Sequence, residues 1–246
     1  MDVIDYENGI TGWLNTVGVG FIEPIPAPYD SPSNICAKYT APIGSNRIQT
    51  RSYWTIDEGQ YTHVGFRTFV PEDVNLGTGW ILAVQWHQNT IAKQPPVALF
   101  IKDGVWQVET PLGSVKVHKF TPVEKGKWVY WAFSIKRATK LGSVVVYKDK
   151  KNVLDIMCPT AYTSIATAPL RMEAGVYRTG GLTDRPQSIC YDKFVRVNSL
   201  QELLSEQDPC KPIKDQIALL TMDKAQIEAD IVKLQADLNQ CMNGVY

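Results

Sequence analysis

Short runs of apolar and aromatic residues, separated by glycine, proline, asparagine and aspartate, cover most of the chain between residues 6 and 197. Runs of this length that are rich in Val, Ile, Tyr, Trp and Phe predict antiparallel β-strands. The clearest predicted strands are residues 61–70, 79–86, 96–102, 105–109, 128–136, 143–148, 170–177 and 189–197. Asp103 and Gly104 separate two of these runs and predict a two-residue hairpin. Because no helical pattern interrupts the strands, the predicted fold class is all-β, a two-sheet antiparallel sandwich.

A different pattern begins after residue 197. Residues 198–207 predict a short helix, which Pro209 and Pro212 end. Beyond them, spacings of four and three residues alternate, which is typical of a coiled-coil seam over about four heptads. The seam consists of Ile213, Ile217, Leu220, Lys224, Ile227, Ile231, Leu234, Leu238 and Cys241. The sequence therefore predicts a sandwich domain over residues 1–207, a proline-containing linker over 208–212 and a C-terminal α-helical coiled coil over 213–243.

The narrow seam predicts self-association, because its apolar stripe is exposed unless it packs against copies of itself. Isoleucine in both series of seam positions favours more than two strands, so we expect a homotrimer. Lys224 at a seam position would penalise other registers. The alternative is a helix folded back on the sandwich, which the strict heptad spacing disfavours.

Composition narrows the choice of partners. The 246 residues contain 25 Lys and Arg and 25 Asp and Glu, so the balanced charge points neither to nucleic acid nor to an anionic membrane. No apolar run approaches the roughly 18 residues needed to cross a bilayer, so no membrane insertion is expected. The five cysteines form no C-x-x-C pair, and no metal or other cofactor is predicted.

Five segments occur in an informative order between residues 60 and 197. They are 80–87 (WILAVQWH), 95–101 (PPVALFI), 126–136 (GKWVYWAFSIK), 175–178 (GVYR) and 189–192 (ICYD). In this order and spacing, the chain resembles the heparinase and glucuronan-lyase group of jelly-roll polysaccharide lyases. The resemblance implies a concanavalin A-like jelly roll, and an enzyme of this kind cleaves uronic-acid polysaccharides by β-elimination.

The resemblance also implies a set of site residues. Gln85 would hydrogen-bond the substrate carboxylate, His87 would act as base and Tyr177 as acid. Residues two apart on a strand point to the same face, so Gln85 and His87 are expected side by side. The candidate substrate-binding residues are Trp86, Arg171, Glu173 and Arg178.

Glu173 departs from the pattern that the resemblance implies. Active heparinase-type enzymes carry Lys-x-Gly-x-Tyr, whereas this chain reads Glu-Ala-Gly-Val-Tyr from Glu173 to Tyr177. A carboxylate about 4 Å from a uronate would repel it by about 1 kcal/mol in water. Glu173→Lys is therefore expected to improve uronate binding, unless Arg171, Arg178 or Lys136 replaces the lysine. The prediction is a glycan-binding module without catalysis; the alternatives are an active lyase and a purely architectural protein.

The N-terminal residues suggest where the protein acts. Residues 1–7 carry neither the basic nor the apolar region of a secretion signal, yet a polysaccharide-acting protein must meet its substrate outside the producing cell. A bacteriophage virion protein does so through lysis. We therefore expect a trimeric, fibre-like virion appendage or decoration protein, whose partners are a surface polysaccharide and other virion proteins. The alternative is a lyase that is extracellular or cytoplasmic in a bacterium.

The seam makes assembly testable by truncation. A chain ending at Gln207 lacks the predicted coiled coil and is expected to be a monomer with a folded sandwich, whereas the full chain is a trimer. Light scattering gives the mass and far-ultraviolet circular dichroism the fold. A truncated chain that remains trimeric would place the interface in the sandwich.

Overall fold

The computed structural model describes residues 1–7, 10–28, 33–88, 94–182 and 184–206, together with residues 227, 228, 232 and 235. The chain divides into two units, Met1–Leu204 and Ser205–Tyr246. In the second unit, the four described residues beyond 206 are helical. Of the predicted seam only Ile227 is among them, and the other seam residues lie outside the described residues. No helix in the described part of the chain is both long and apolar enough to cross a membrane.

The described residues of the first unit form fifteen strands. The strands are β1 (Asp2–Ile4), β2 (Trp13–Gly18), β3 (Phe21–Pro26), β4 (Ile35–Ala41), β5 (Arg47–Ile56), β6 (Tyr61–Phe69), β7 (Trp80–His87), β8 (Val97–Lys102), β9 (Val105–Glu109), β10 (Val117–Pro122), β11 (Trp128–Lys136), β12 (Gly142–Lys148), β13 (Lys151–Cys158), β14 (Leu170–Arg178) and β15 (Gln187–Val197). Short 3-10 turns occupy Thr163–Ile165 and Gly180–Leu182, and the helix α1 spans Leu200–Glu206.

These strands form two antiparallel sheets, which confirms the predicted two-sheet sandwich. The eight-stranded sheet has the order β13-β12-β11-β6-β15-β4-β3, with β1 pairing to β15. The seven-stranded sheet has the order β10-β9-β8-β7-β14-β5-β2. The predicted hairpin at Asp103 and Gly104 is confirmed, since both residues have positive φ and join β8 to β9.

Large aromatic side chains fill the space between the sheets. Trp86, Trp106 and Trp131 are all almost fully buried, and the ring centroids of Trp86 and Phe133 lie 4.8 Å apart. Trp86 is therefore a core residue, and its predicted substrate-binding role is wrong. The physical reason is the alternation of the strand, which directs Gln85 and His87 away from the core and Trp86 into it.

The predicted helix at residues 198–207 is confirmed as α1. Ser199 Oγ accepts a hydrogen bond from the Glu202 backbone N–H at 3.3 Å, and Glu202 Oε2 accepts one from the Asn198 N–H at 3.3 Å. Ser199 therefore caps the N-terminus of the helix, and Glu202 turns back to bind the residue before this cap. The helix buries Leu203 against Ala132 and its neighbours on the eight-stranded sheet.

Tyr191 ties the two sheets together. Its hydroxyl, on β15, lies 2.8 Å from the Ala83 carbonyl oxygen on β7 and 2.7 Å from the Gly175 carbonyl oxygen on β14. Burial raises the pKa of Tyr191 well above its usual value, so the phenol stays neutral and donates. Gly175 has a φ of +146°, and a Cβ there would meet the Ile48 carbonyl oxygen at 2.3 Å. The bulge in β14 near Tyr177 therefore requires glycine.

Removing the Tyr191 hydroxyl should weaken the fold. Tyr191→Phe leaves two buried carbonyl oxygens without this donor, so the free energy of unfolding should fall by about 1–3 kcal/mol. Urea unfolding measures the loss. The control is Tyr53→Phe, because Tyr53 is 60% exposed and its hydroxyl can bind water. Equal stability of the two variants would show that the contact does not hold the sheets.

Candidate active site

A cleft of about 690 Å³ opens on the outer face of the seven-stranded sheet. Side chains from β5, β7, β8, β9 and β14 line it, together with two residues of the segment before β8. The lining residues are Arg47, Arg51, Trp80, Leu82, Gln85, His87, Gln94, Pro95, Phe100, Lys102, Glu109, Glu173 and Tyr177. The three residues predicted to be catalytic, Gln85, His87 and Tyr177, therefore share one cleft.

Strand register arranges the lining residues in rows across the sheet. The first row, from β9 to β5, is Glu109, Ala98, Gln85, Glu173 and Arg51. Neighbours in a row are about 4.8 Å apart, the spacing between strands. The row places a carboxylate at one end of the cleft and a guanidinium at the other.

The second and third rows flank the first. The second consists of Phe100, Leu82, Tyr177 and Arg47, from β8 to β5. The third pairs His87 with Arg171 on β14. Tyr177 and His87 therefore lie on opposite sides of the row that contains Gln85 and Glu173.

Glu173 lies at the centre of a charged network in the cleft floor. Its side chain is 1% exposed. Oε2 accepts hydrogen bonds from Arg47 Nη2 at 2.6 Å and from Gln85 Nε2 at 2.6 Å, and Oε1 accepts one from Arg51 Nε at 2.7 Å. Arg47 also donates through Nε to Gln49 Oε1 at 2.7 Å. Two guanidinium groups thus neutralise one buried carboxylate and leave a net charge of one positive unit.

This network corrects the expected repulsion between Glu173 and a uronate. The carboxylate does not face the cleft as an unpaired charge, because both of its oxygens are occupied by donors. The surfaces offered to a ligand are those of Arg47 and Arg51, whose side chains are 27% and 23% exposed. Sequence reasoning missed both arginines. The polar alternation Arg47-x-Gln49-x-Arg51 was the available signal, but only the sheet order places it beside Glu173.

The predicted role of Gln85 as a donor to the substrate carboxylate is also corrected. Its Nε2 donates to Glu173 Oε2 at 2.6 Å and to Gln49 Oε1 at 3.2 Å. An amide nitrogen has two protons, so both are engaged within the protein. Gln85 instead helps to hold Glu173, and Arg47 and Arg51 beside it are the charged donors of this network that can reach a carboxylate.

Arg178 and Arg171 have different surroundings from those expected of substrate-binding residues. Arg178 is 1% exposed and its guanidinium donates to the carbonyl oxygens of Pro42, Ser45, Leu182 and Arg185. The prediction for Arg178 is therefore wrong: it joins two loops because alternation points it away from Tyr177. Arg171 lies beside His87 in the sheet without lining the cleft.

One end of the cleft is aromatic and apolar. Leu82 and Phe100 form its floor and are 2% and 8% exposed, and Trp80 and Tyr177 pack against them. The Trp80 ring centroid lies 5.1 Å from that of Tyr177 in an edge-to-face arrangement. The Arg47 guanidinium lies 5.0 Å from the Tyr177 ring centroid, which is a cation–π contact. This contact joins the apolar end to the charged network.

Glu109, on β9, provides a second carboxylate, at the end of the first row that is opposite Arg51. Burial raises the pKa of Glu109, while Lys102 and a hydrogen bond from Gln107 Nε2 at 2.9 Å act in the other direction. The other two histidines, His63 and His118, do not line the cleft. Within the described residues there is no group of three or more His, Cys, Asp or Glu side chains that could hold a metal ion.

Comparisons with known proteins agree with this architecture. The family model described as polysaccharide lyase matches residues 29–195. The endo-β-1,4-glucuronan lyase of the fungus Trichoderma reesei superposes with a TM-score of 0.66 at 13% identity, covering 82% of this chain and 97% of that one. The Chlorella virus alginate lyase vAL-1 gives 0.52 at 11% identity, covering 76% and 93%.

A third solved structure is a carbohydrate esterase from the Shiga toxin-encoding bacteriophage phi24B. It gives a TM-score of 0.53 at 14% identity, covering 79% of this chain and 95% of that one. At such identities the likeness to all three structures concerns the fold. No curated protein sequence matches the chain.

The network around Glu173 predicts that a lysine at this position destabilises the fold. Glu173→Gln removes the buried anion and should lower the free energy of unfolding by about 2 kcal/mol, a value reduced because both arginines are partly exposed. Glu173→Lys should lower the free energy of unfolding further, because three cations would then lie side by side without a counter-ion. Urea unfolding measures both. The control is Glu23→Lys, at an exposed position of β3, and a Glu173→Lys protein as stable as this control would contradict the prediction.

Proposed function

We propose, since the chain belongs to the polysaccharide lyase family, that its cleft binds a uronate-containing polysaccharide and cleaves it by β-elimination. One observation carries the proposal: Glu173 holds Arg47 and Arg51 in the same cleft as His87 and Tyr177. The three requirements of the reaction, a cation for the carboxylate, a base and an acid, are thereby met by neighbouring strands.

The arginine pair supports binding of the uronate carboxylate. Guanidinium groups bind carboxylates through two parallel hydrogen bonds, and each of these two is about a quarter exposed beside the cleft. Neutralising the carboxylate makes the neighbouring C5 proton of the uronate more acidic, because the charge that develops on its removal is stabilised. Glu173 acts through the arginines, since it fixes their positions before the substrate arrives.

His87 and Tyr177 support the proton transfers. His87 as base takes the C5 proton, the electrons form the C4–C5 double bond, and the C4–O bond to the leaving sugar breaks. Tyr177 as acid gives its proton to that oxygen. Both side chains line the cleft, on the adjacent strands β7 and β14. Two of the similar structures are lyases of glucuronan and of alginate. Both polysaccharides are polymers of uronates, which supports this substrate class.

A second candidate function is the glycan-binding head of a trimeric bacteriophage appendage or decoration protein, without catalysis. The heptad seam over residues 213–241 supports it, and the described seam residue Ile227 is helical. A carbohydrate esterase of a bacteriophage shares the fold, so the fold occurs among phage proteins. This candidate uses the same cleft for binding.

The two candidates differ in whether the protein forms an unsaturated uronate product. This product is detected by its ultraviolet absorbance. The full-length protein is incubated with glucuronan, alginate, hyaluronan and heparin, and binding is measured in parallel by calorimetry. For a lyase, absorbance rises with at least one polymer, and His87→Ala and Tyr177→Phe each reduce the rate by a factor of about 100 or more.

The variants also distinguish a binding head from an inactive fold. Arg51→Gln should weaken binding of any polymer that the unaltered protein binds, because it removes one of the two cations. Binding without any absorbance change would select the non-catalytic head. Absence of both binding and product across the four polymers would overturn the uronate proposal altogether.

A further inference from the structure

We infer that the preferred polymer alternates a uronate with an uncharged, N-acetylated sugar, and that Leu82, Phe100 and Glu109 select it. The inference rests on the proposed function, because it takes the arginine pair as the uronate position. It concerns the part of the cleft formed by Leu82 on β7, Phe100 on β8 and Glu109 on β9, where the side chains differ in chemistry from Arg47 and Arg51.

The first observation is the apolar floor. Leu82 and Phe100 line the cleft but are almost fully buried, so they expose little area. The side-chain surface that they do expose is apolar. Trp80 and Tyr177 stand beside them as partly exposed aromatic walls. Leu82 and Phe100 offer a carboxylate no hydrogen bond in exchange for the water that it would lose on this floor. The methyl group of an acetamide would instead bury apolar area there.

The second observation is the position of Glu109, which is independent of the floor. Glu109 is at the β9 end of the row that ends at Arg51 on β5, four strand spacings or about 19 Å away. Burial raises the pKa of Glu109, whereas Lys102 and the hydrogen bond from Gln107 lower it and so favour its charged form. A uronate reaching this end would meet a carboxylate in a partly desolvated site, where like charges repel more strongly than in water.

The apolar floor and Glu109 are close to each other, because Phe100 and Glu109 lie on the paired strands β8 and β9. A polymer with a uronate at every position would put carboxylates both against the apolar floor and against Glu109. A polymer in which every second sugar is N-acetylated can place its uronate at the arginines and its neutral sugar at the floor. The cleft therefore discriminates by the sugar adjacent to the uronate, as well as by the uronate itself.

Calorimetry with octasaccharides of equal length tests the preference. The probes are hyaluronan, in which glucuronate alternates with N-acetylglucosamine, glucuronan, in which every sugar is a glucuronate, and N-acetylglucosamine oligomers without uronate. The His87→Ala protein is used so that no probe is cleaved. Hyaluronan should bind at least about tenfold more tightly than glucuronan, and the neutral oligomer should bind more weakly than either.

Glu109→Gln tests the repulsive part on its own. In the same His87→Ala background, glucuronan affinity should rise about threefold or more while hyaluronan affinity changes by less than about twofold. Glu23→Gln, an exposed carboxylate on the other sheet, is the matched control and should change neither. Glucuronan binding as tightly as hyaluronan, or no effect of Glu109→Gln, would overturn the inference and leave the uronate site intact. Failure of both acidic probes to bind would instead overturn the proposed function.

Discussion

The buried carboxylate of Glu173 is the constraint on which the cleft depends. A glutamate that is 1% exposed on a sheet face is costly unless donors surround it, and here Arg47, Arg51 and Gln85 supply them. The buried anion thereby places two cations. Both guanidinium groups are fixed by the protein yet remain partly exposed, which is the condition for binding a carboxylate without first ordering long side chains.

The same network changes the effect that the charge of Glu173 is expected to have on a ligand. Glu173 stands where the resemblance implies a lysine, and considered alone it would repel a uronate. Its charge is exceeded by that of its two partners, so the local field at the cleft surface has the opposite sign. A carboxylate on a strand therefore cannot be interpreted for binding until the residues on the adjacent strands are known.

Backbone constraints place the second part of the site. Tyr191 reaches from one sheet to the carbonyl oxygens of Ala83 and Gly175 in the other, and the bulge at Gly175 immediately precedes Tyr177. The phenol of Tyr177 then lies between Arg47 and Trp80, where the charged and apolar regions of the cleft meet. The charged and the apolar regions of the cleft thus meet at one aromatic ring.

Local sequence patterns were enough to predict the fold class, the Asp103-Gly104 hairpin, the short helix before the prolines and the shared face of Gln85 and His87. These features depend on local periodicity and turn chemistry, which neighbouring residues encode. The coiled coil and its oligomeric state stay predictions from the heptad spacing. The roles of Arg47, Arg51 and Glu173 became apparent only in the folded chain, because Glu173 is 126 and 122 positions from the two arginines in the sequence and meets them through strand order. The burial of Trp86 and Arg178 likewise depends on the fold, since it follows from which face of a strand meets the opposite sheet or loop.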